Sequence, residues 1–385
     1  MDFFPEKLHQ KLLQREQNNA LRKLVVPNNF IDFSSNDYLG FATSEEIFQQ
    51  THEFLLSRNY KINGATGSRL LSGNHSIYAE TEEYIAQFHQ CEAALIFNSG
   101  YDANVGFFNS VPQRNDIILY DELSHASIRD GIQMSLAKSF KFKHNDLADL
   151  ENLLSKHSQT TDNRQPITDN RQPTTVFIIT ESVFSMDGDS PDLEKMAVLS
   201  EKYKSYLVID EAHAVGVFGE KGEGLVQQLN LHNNVFARIV TFGKALGCHG
   251  AAILGSEKLK NYLINFARSF IYTTGLSPHS VATIFVAYQQ LSKGQQERAK
   301  LFQNIDYFKS SLPSSIFHLS SFSSIHSVII PGNERVKSIA QHLQQNGFDV
   351  KPILSPTVPE GQERLRFCLH SFNTEQEIKT VLSLL

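Results

Sequence analysis

Along the middle of the chain, short apolar runs alternate with stretches whose apolar residues recur every three or four positions. The runs at 93–97, 116–120, 176–180, 206–209 and 238–241 are rich in β-branched and aliphatic residues. Several lack polar alternation, as strands covered on both faces do. Helical spacing lies between them, for example at 78–89 and 193–203. Such alternation predicts an α/β fold built on a mostly parallel, doubly wound sheet. In sheets of that kind ligands bind beyond the carboxyl ends of the strands.

The pattern changes towards both ends. Residues 6–24 carry helically spaced leucines among many charges and read as a surface helix or arm. After Pro278 the helical stretches 281–291, 299–312 and 336–346 are interleaved with β-rich segments at 327–331, 348–353 and 364–369, and a last helix starts near Thr374. The expected division is an arm at 1–44, a large domain at 45–280 and a smaller α+β unit at 281–385. One segment fits no element. Residues 161–166, Thr-Asp-Asn-Arg-Gln-Pro, recur at 168–173. Polar and proline-bearing, this repeat reads as a disordered surface loop with no assigned function.

Composition narrows the classes. The 385 residues are 41% hydrophobic and 20% charged, as in an ordinary globular protein. A net charge of -6 gives no global pull towards nucleic acid or anionic lipid. No apolar stretch is long enough to span a membrane, and residues 1–7 lack a signal-peptide pattern. Cys91, Cys248 and Cys368 are scattered, which predicts reduced thiols, a cytoplasmic setting and no metal site.

The candidate chemistry sits at the strand ends. Lys244 follows the run 238–241 in Thr-Phe-Gly-Lys-Ala-Leu-Gly. Glycines at 243 and 247 leave room beside its amine for a phosphate held by charge or a carbonyl held as a Schiff base. The run 206–209 ends in Asp210-Glu211-Ala212-His213. A carboxylate there is costly unless paired, and its ordinary fate is a cap or a structural ion pair. The tetrapeptide also suggests a nucleotide-hydrolysing motor, but the required Gly-x-x-x-x-Gly-Lys-Ser/Thr loop is missing: Arg238 stands at the first glycine and Ala245 follows the lysine. The run 93–97 ends in Asn98-Ser99-Gly100-Tyr101 before a helical pattern, a ready anion site though also an ordinary cap. Thr241 offers a hydroxyl to the same anion. His125, beyond the run 116–120, is either a core histidine or a flat surface for an aromatic ligand. An anion cradle, an acid, two histidines and an amine form the set that pyridoxal 5'-phosphate requires, and simple phosphate binding explains fewer of them.

With these residues in view, the chain resembles the α-oxoamine synthases, pyridoxal-phosphate enzymes of fold type I with an aspartate-aminotransferase-like fold. The likeness runs through 32–40, 64–69, 72–75, 181–188, 210–213, 241–247 and 357–366. It implies that Lys244 holds the cofactor aldehyde, that Asp210 pairs with the pyridine nitrogen, that His213 donates to the phenolic oxygen and that His125 stacks on the ring. It also implies cofactor contacts from Ser99, Gly100, Tyr101, Ser185 and Thr241. Arg366 becomes the candidate partner of an amino-acid carboxylate, with Arg22, Asn36 and Thr357 near substrate. Thr273 and Thr274 are expected to reach a neighbour's phosphate across a homodimer interface.

The implied reaction is a decarboxylating condensation of an amino acid with an acyl thioester, carried by CoA or by an acyl carrier protein. The likeness favours members that use L-alanine and a pimeloyl thioester on the route to biotin. Members using glycine or serine share the same motifs. A non-catalytic relative acting as a binding subunit is the alternative of another class, and such relatives usually lack the lysine or the aspartate. One departure is Leu354, where some members have an arginine. The nearest cation is Lys351.

Overall fold

The computed structural model describes residues 4–18, 21, 22, 24, 29–158, 174–312 and 321–385. The duplicated repeat at 161–173 lies outside the described residues. In chain order the strands are β1 (Ile31–Asp32), β2 (Ala93–Phe97), β3 (Ile117–Asp121), β4 (Lys138–Phe142), β5 (Val176–Glu181), β6 (Tyr206–Asp210), β7 (Ala237–Thr241), β8 (Ala251–Gly255), β9 (Ile325–Ile329), β10 (Phe348–Asp349), β11 (Lys351–Ile353) and β12 (Arg364–Cys368).

Seven strands form one sheet in the order β2-β8-β7-β6-β5-β3-β4. Every residue of β2 and β5 is buried. Alternate side chains enter different cores. Val176 and Ile178 join one apolar cluster, while Phe177 and Ile179 join another. A strand that must satisfy two cores cannot alternate with polar residues, so its sequence is a continuous apolar run. Each such side chain contributes about 1.5–3 kcal/mol on burial.

Two strands of this sheet escaped the sequence reading. The first is β8, which runs antiparallel between β2 and β7. Its Ala251-Ala252 start carries little β signal. The other is β4, parallel to β3 at the sheet edge. Lys138, Ser139 and Lys141 in it are exposed, which suits an edge strand and hides it from an apolar search.

The predicted helices are present with shifted ends, among them Ser76–Phe88, Leu193–Lys202, Pro278–Leu291 and Asn333–Gln345. The last helix, Glu375–Ser383, opens with a capping box between Thr374 and Glu377. The N-terminal helix is shorter than expected, Glu6–Gln17, and buries no residue.

The small C-terminal sheet is antiparallel, in the order β11-β12-β9. Beside it, β1 pairs in parallel with β10, matching Ile31 to Phe348. The Cys368 N–H donates to the Phe33 carbonyl and the Ser371 N–H to that of Tyr38. Residues 31–38 are thereby stitched to the end of β12. Among the described residues no helix is long and apolar enough to cross a membrane, and no cluster of three or more His, Cys, Asp or Glu could hold a metal ion.

Candidate active site

A cavity of about 240 Å³ opens at the carboxyl ends of the central strands. Parallel strands deliver their last residues to one edge, which is why β3, β5, β6 and β7 all contribute there. Ser99, Gly100, Tyr101, His125, Asp210, His213, Thr241 and Lys244 line it together.

The helix Gly100–Ser110 starts at the end of β2 with Ser99 as its cap. The Ser99 hydroxyl accepts the Asp102 N–H at 3.0 Å, and its carbonyl accepts that of Ala103. The Gly100 and Tyr101 N–H groups stand at the positive helix end, where no carbonyl of the helix reaches. A Cβ on Gly100 would come 2.6 Å from the Thr241 methyl. Glycine is what lets β7 and the helix start approach this closely.

Lys244 follows β7 on a turn closed by Gly247, which has φ +62°. A Cβ on Gly247 would lie 2.1 Å from the Ala42 backbone nitrogen, so this position accepts only glycine. The Lys244 Nζ stands 2.7 Å from His213 Nε2. Burial pushes the lysine pKa down against the pull of Asp210 and Glu181, and it settles at about 8. Burial, with Lys244 and Arg366 nearby, holds His213 well below the usual histidine range, so its ring is neutral.

The three polar residues of the Asp-Glu-Ala-His segment face different partners. Asp210 faces the cavity, where its Oδ2 accepts from Asn104 Nδ2 at 2.9 Å and its Oδ1 from the Ala212 N–H at 2.9 Å. Glu211 turns away and pairs with buried Arg238, whose Nε donates to its Oε2 at 2.7 Å. His213 returns to Lys244. Glu211 is consumed by a structural ion pair, and no pair of acids is left in this segment for a metal.

Asn104 and Ser127 were missed by sequence reasoning. The Asn104 amide donates to both Asp210 and the Ser127 hydroxyl, the latter at 3.0 Å. Ser127 Oγ in turn lies 2.8 Å from His125 Nδ1, which also accepts the Ser127 N–H. His125 Nδ1 is therefore an acceptor, and the ring proton sits on Nε2. Burial lowers the His125 pKa, consistent with a neutral ring. The available signal was a lone amide in the apolar stretch Ala103-Asn104-Val105. Glu181, another omission, lines the cavity, accepts the His125 N–H at 2.6 Å and is pushed up to about 8 by burial and by Asp210.

Other expected residues lie outside the cavity lining. Arg366 donates from Nε to the Ser185 carbonyl at 2.7 Å and from Nη2 to Asn36 Oδ1 at 3.0 Å. Ser185 thus meets Arg366 through its backbone. Asn98 Nδ2 donates to Thr273 Oγ1 at 3.0 Å and to the Thr274 carbonyl at 2.6 Å. Thr357 is exposed, its N–H bonded to the Leu354 carbonyl. Arg22 is exposed in the arm.

The set suits pyridoxal phosphate. A helix end beside a glycine-made cradle matches a phosphate, Asp210 a pyridine nitrogen, and Lys244 an aldehyde. Comparison with known proteins decides the family. The model of aminotransferase class I and II matches residues 28–385. The chain belongs to that family. Within it the chain falls in the α-oxoamine synthase group. An 8-amino-7-oxononanoate synthase of Emericella nidulans is 40% identical, covering 98% of this chain and 94% of that one. A crystal structure of 8-amino-7-oxononanoate synthase from Francisella tularensis superposes with TM-score 0.75 at 29% identity, over 93% of this chain and 97% of that one. A serine palmitoyltransferase from S. paucimobilis, solved with a bound PLP–myriocin aldimine, has TM-score 0.86 at 23% identity over 98% and 96% of the two chains, a likeness of fold. As a family member the chain is an α-oxoamine synthase, a C-acyltransferase on the type I fold.

Proposed function

We propose that this α-oxoamine synthase condenses L-alanine with a pimeloyl thioester, as an 8-amino-7-oxononanoate synthase does. The observation that carries the reading is Lys244, an amine held near pKa 8 in one cavity with Asp210 and a helix end. The relatives' names support the choice of substrates. In the net reaction the α-carbon bonds to the thioester carbonyl carbon. The carbon–sulfur bond breaks to release thiol, and the α-carboxylate leaves as CO2.

Pyridoxal phosphate, once bound, supplies an electron sink for the amino acid's α-carbon. The Gly100 and Tyr101 N–H groups would hold its phosphate, joined by the Thr241 hydroxyl once it turns from the Ala212 carbonyl, to which it donates at 3.4 Å. Asp210, oriented by Asn104, would accept from the ring nitrogen. His125 would lie against the ring, with its Nε2–H free to donate to the acyl carbonyl. Arg366 pairs with the substrate carboxylate beside Asn36. A lysine near pKa 8 is partly unprotonated at neutral pH, so Lys244 Nζ takes the α-proton. Thr273 and Thr274 stand outside this cavity, which suits a contribution to a neighbouring subunit's phosphate in a homodimer.

Thiol release, measured with each of alanine, glycine and serine against pimeloyl-, acetyl- and palmitoyl-CoA, tests the reading. Alanine with pimeloyl-CoA is the expected best pair. A preference for glycine with acetyl-CoA would overturn the substrate choice. Pimeloyl carrier protein, in place of the CoA ester, distinguishes the two acyl carriers. Borohydride reduction of the yellow protein should place the pyridoxyl group on Lys244 and on no other lysine.

A further inference from the structure

Behind Lys244 runs an unbroken chain of hydrogen bonds that ends at Arg366, and its centre is a residue with no assigned task. Tyr38 is fully buried. Its hydroxyl lies 2.7 Å from His213 Nδ1 and 3.2 Å from Asn36 Oδ1. Asn36 Oδ1 also accepts from Arg366 Nη2.

The direction of every bond follows from Arg366. A guanidinium only donates, so the Asn36 atom facing it is the carbonyl oxygen, which only accepts. The Tyr38 O–H must then donate to Asn36. Burial raises the Tyr38 pKa well above the usual range, so the proton stays on the phenol. With its hydrogen committed, the phenol oxygen accepts from His213 Nδ1–H. The Nε2 lone pair is left facing Lys244 Nζ at 2.7 Å.

We propose that Tyr38 is a positioning residue of this site: anchored on Asn36, its hydroxyl holds the His213 proton on Nδ1 while Nε2 faces Lys244, and by turning to Nδ1 it lets the ring donate from Nε2 instead. The inference rests on the reading of Lys244 as the reacting amine. Without the phenol, a buried nitrogen of His213 has no partner in either tautomer, and the preference for Nδ1–H is lost. A phenol that rotates from Asn36 to Nδ1 also permits the opposite tautomer, with Nε2 as donor. The same residue thus allows His213 to accept from Lys244 or to donate to an oxygen placed beside it. Because Asn36 holds both Tyr38 and Arg366, an event at the arginine is felt at the histidine.

The test is the nitrogen-15 spectrum of His213 in the full chain near pH 7, assigned by comparison with His213→Asn. The wild type should show Nδ1 protonated and Nε2 unprotonated. Tyr38→Phe should show the two forms mixed, with kcat lowered on the order of tenfold and near-unchanged pyridoxal phosphate affinity. An Nε2–H signature in the wild type without cofactor overturns the proposal, whether or not Tyr38→Phe folds. So does a Tyr38→Phe spectrum identical to the wild type. Adding pyridoxal phosphate to the wild type separately checks the reading of the site. A protein that stays colourless while His213 shows Nδ1–H refutes that reading and leaves the tautomer assignment standing.

Discussion

Glu181 and Asp210 end adjacent parallel strands in register, which places two buried carboxyls side by side at one cavity edge. Two neighbouring acids do not both ionise easily in such a place. Asp210 is held by Asn104 and the Ala212 N–H. Glu181 is pushed up to about 8 and is protonated at neutral pH.

Glu181→Gln copies the protonated acid and removes the charge that appears above it. Glu181 pulls the Lys244 pKa up, so the variant's lysine should titrate below about 8. The pH dependence of Lys244 acylation, followed by peptide mass spectrometry, reads this directly. An unchanged or higher pKa would contradict the arrangement.

Asn104→Ala strips a donor from Asp210 and another from Ser127 at once. The loss of a buried hydrogen bond to a charged group costs about 1.5–3 kcal/mol. Pyridoxal phosphate should bind about tenfold or more weakly, as measured by absorbance titration. Wild-type affinity in a well-folded variant would show that Asp210 needs no such support.

Arg366→Lys keeps the charge but loses the planar fork that engages Ser185 and Asn36. The expected result is a KM for the amino acid raised on the order of tenfold, with a smaller change in the KM for the thioester. Equal changes in both would place Arg366 away from the carboxylate.

His144 bridges the end of β3 and the segment after β5, with Nδ1 2.9 Å from Asp121 and Nε2 2.7 Å from Asp189. Burial alone would lower its pKa, but bonds to both acids raise it to about 10. A raised folded-state pKa gives stability that is fully present below the ordinary 6.5 and is lost as pH rises through about 10. His144→Gln should therefore cost most below pH 6.5, about 1–3 kcal/mol. The difference from wild type should shrink towards pH 10. Urea unfolding across that range is the measurement, and a pH-independent difference would exclude the charged pair.

Much of this arrangement was legible along the chain. The apolar runs located β5, β6 and β7 because strands buried on both faces must be apolar throughout. Their last residues had to emerge at one edge, so Asp210, Thr241 and Lys244 belonged together before any contact was known. The strands β4 and β8 were not legible, since an exposed edge and a pair of alanines leave no periodic mark.

What the sequence by itself determined is most of the large sheet and the residue types at its strand ends, because side-chain periodicity and turn chemistry are local properties. Only the tertiary structure decided their partners. Asn36 and Arg366 lie 330 positions apart and meet because β1 pairs with β10 beside β12. Glu211 and His213 share a tetrapeptide yet face opposite ways, one sealed by Arg238 and the other lining the cavity beside Lys244. Hydrogen-bond direction depends on what stands opposite each group, and a chain read in one dimension does not contain that information.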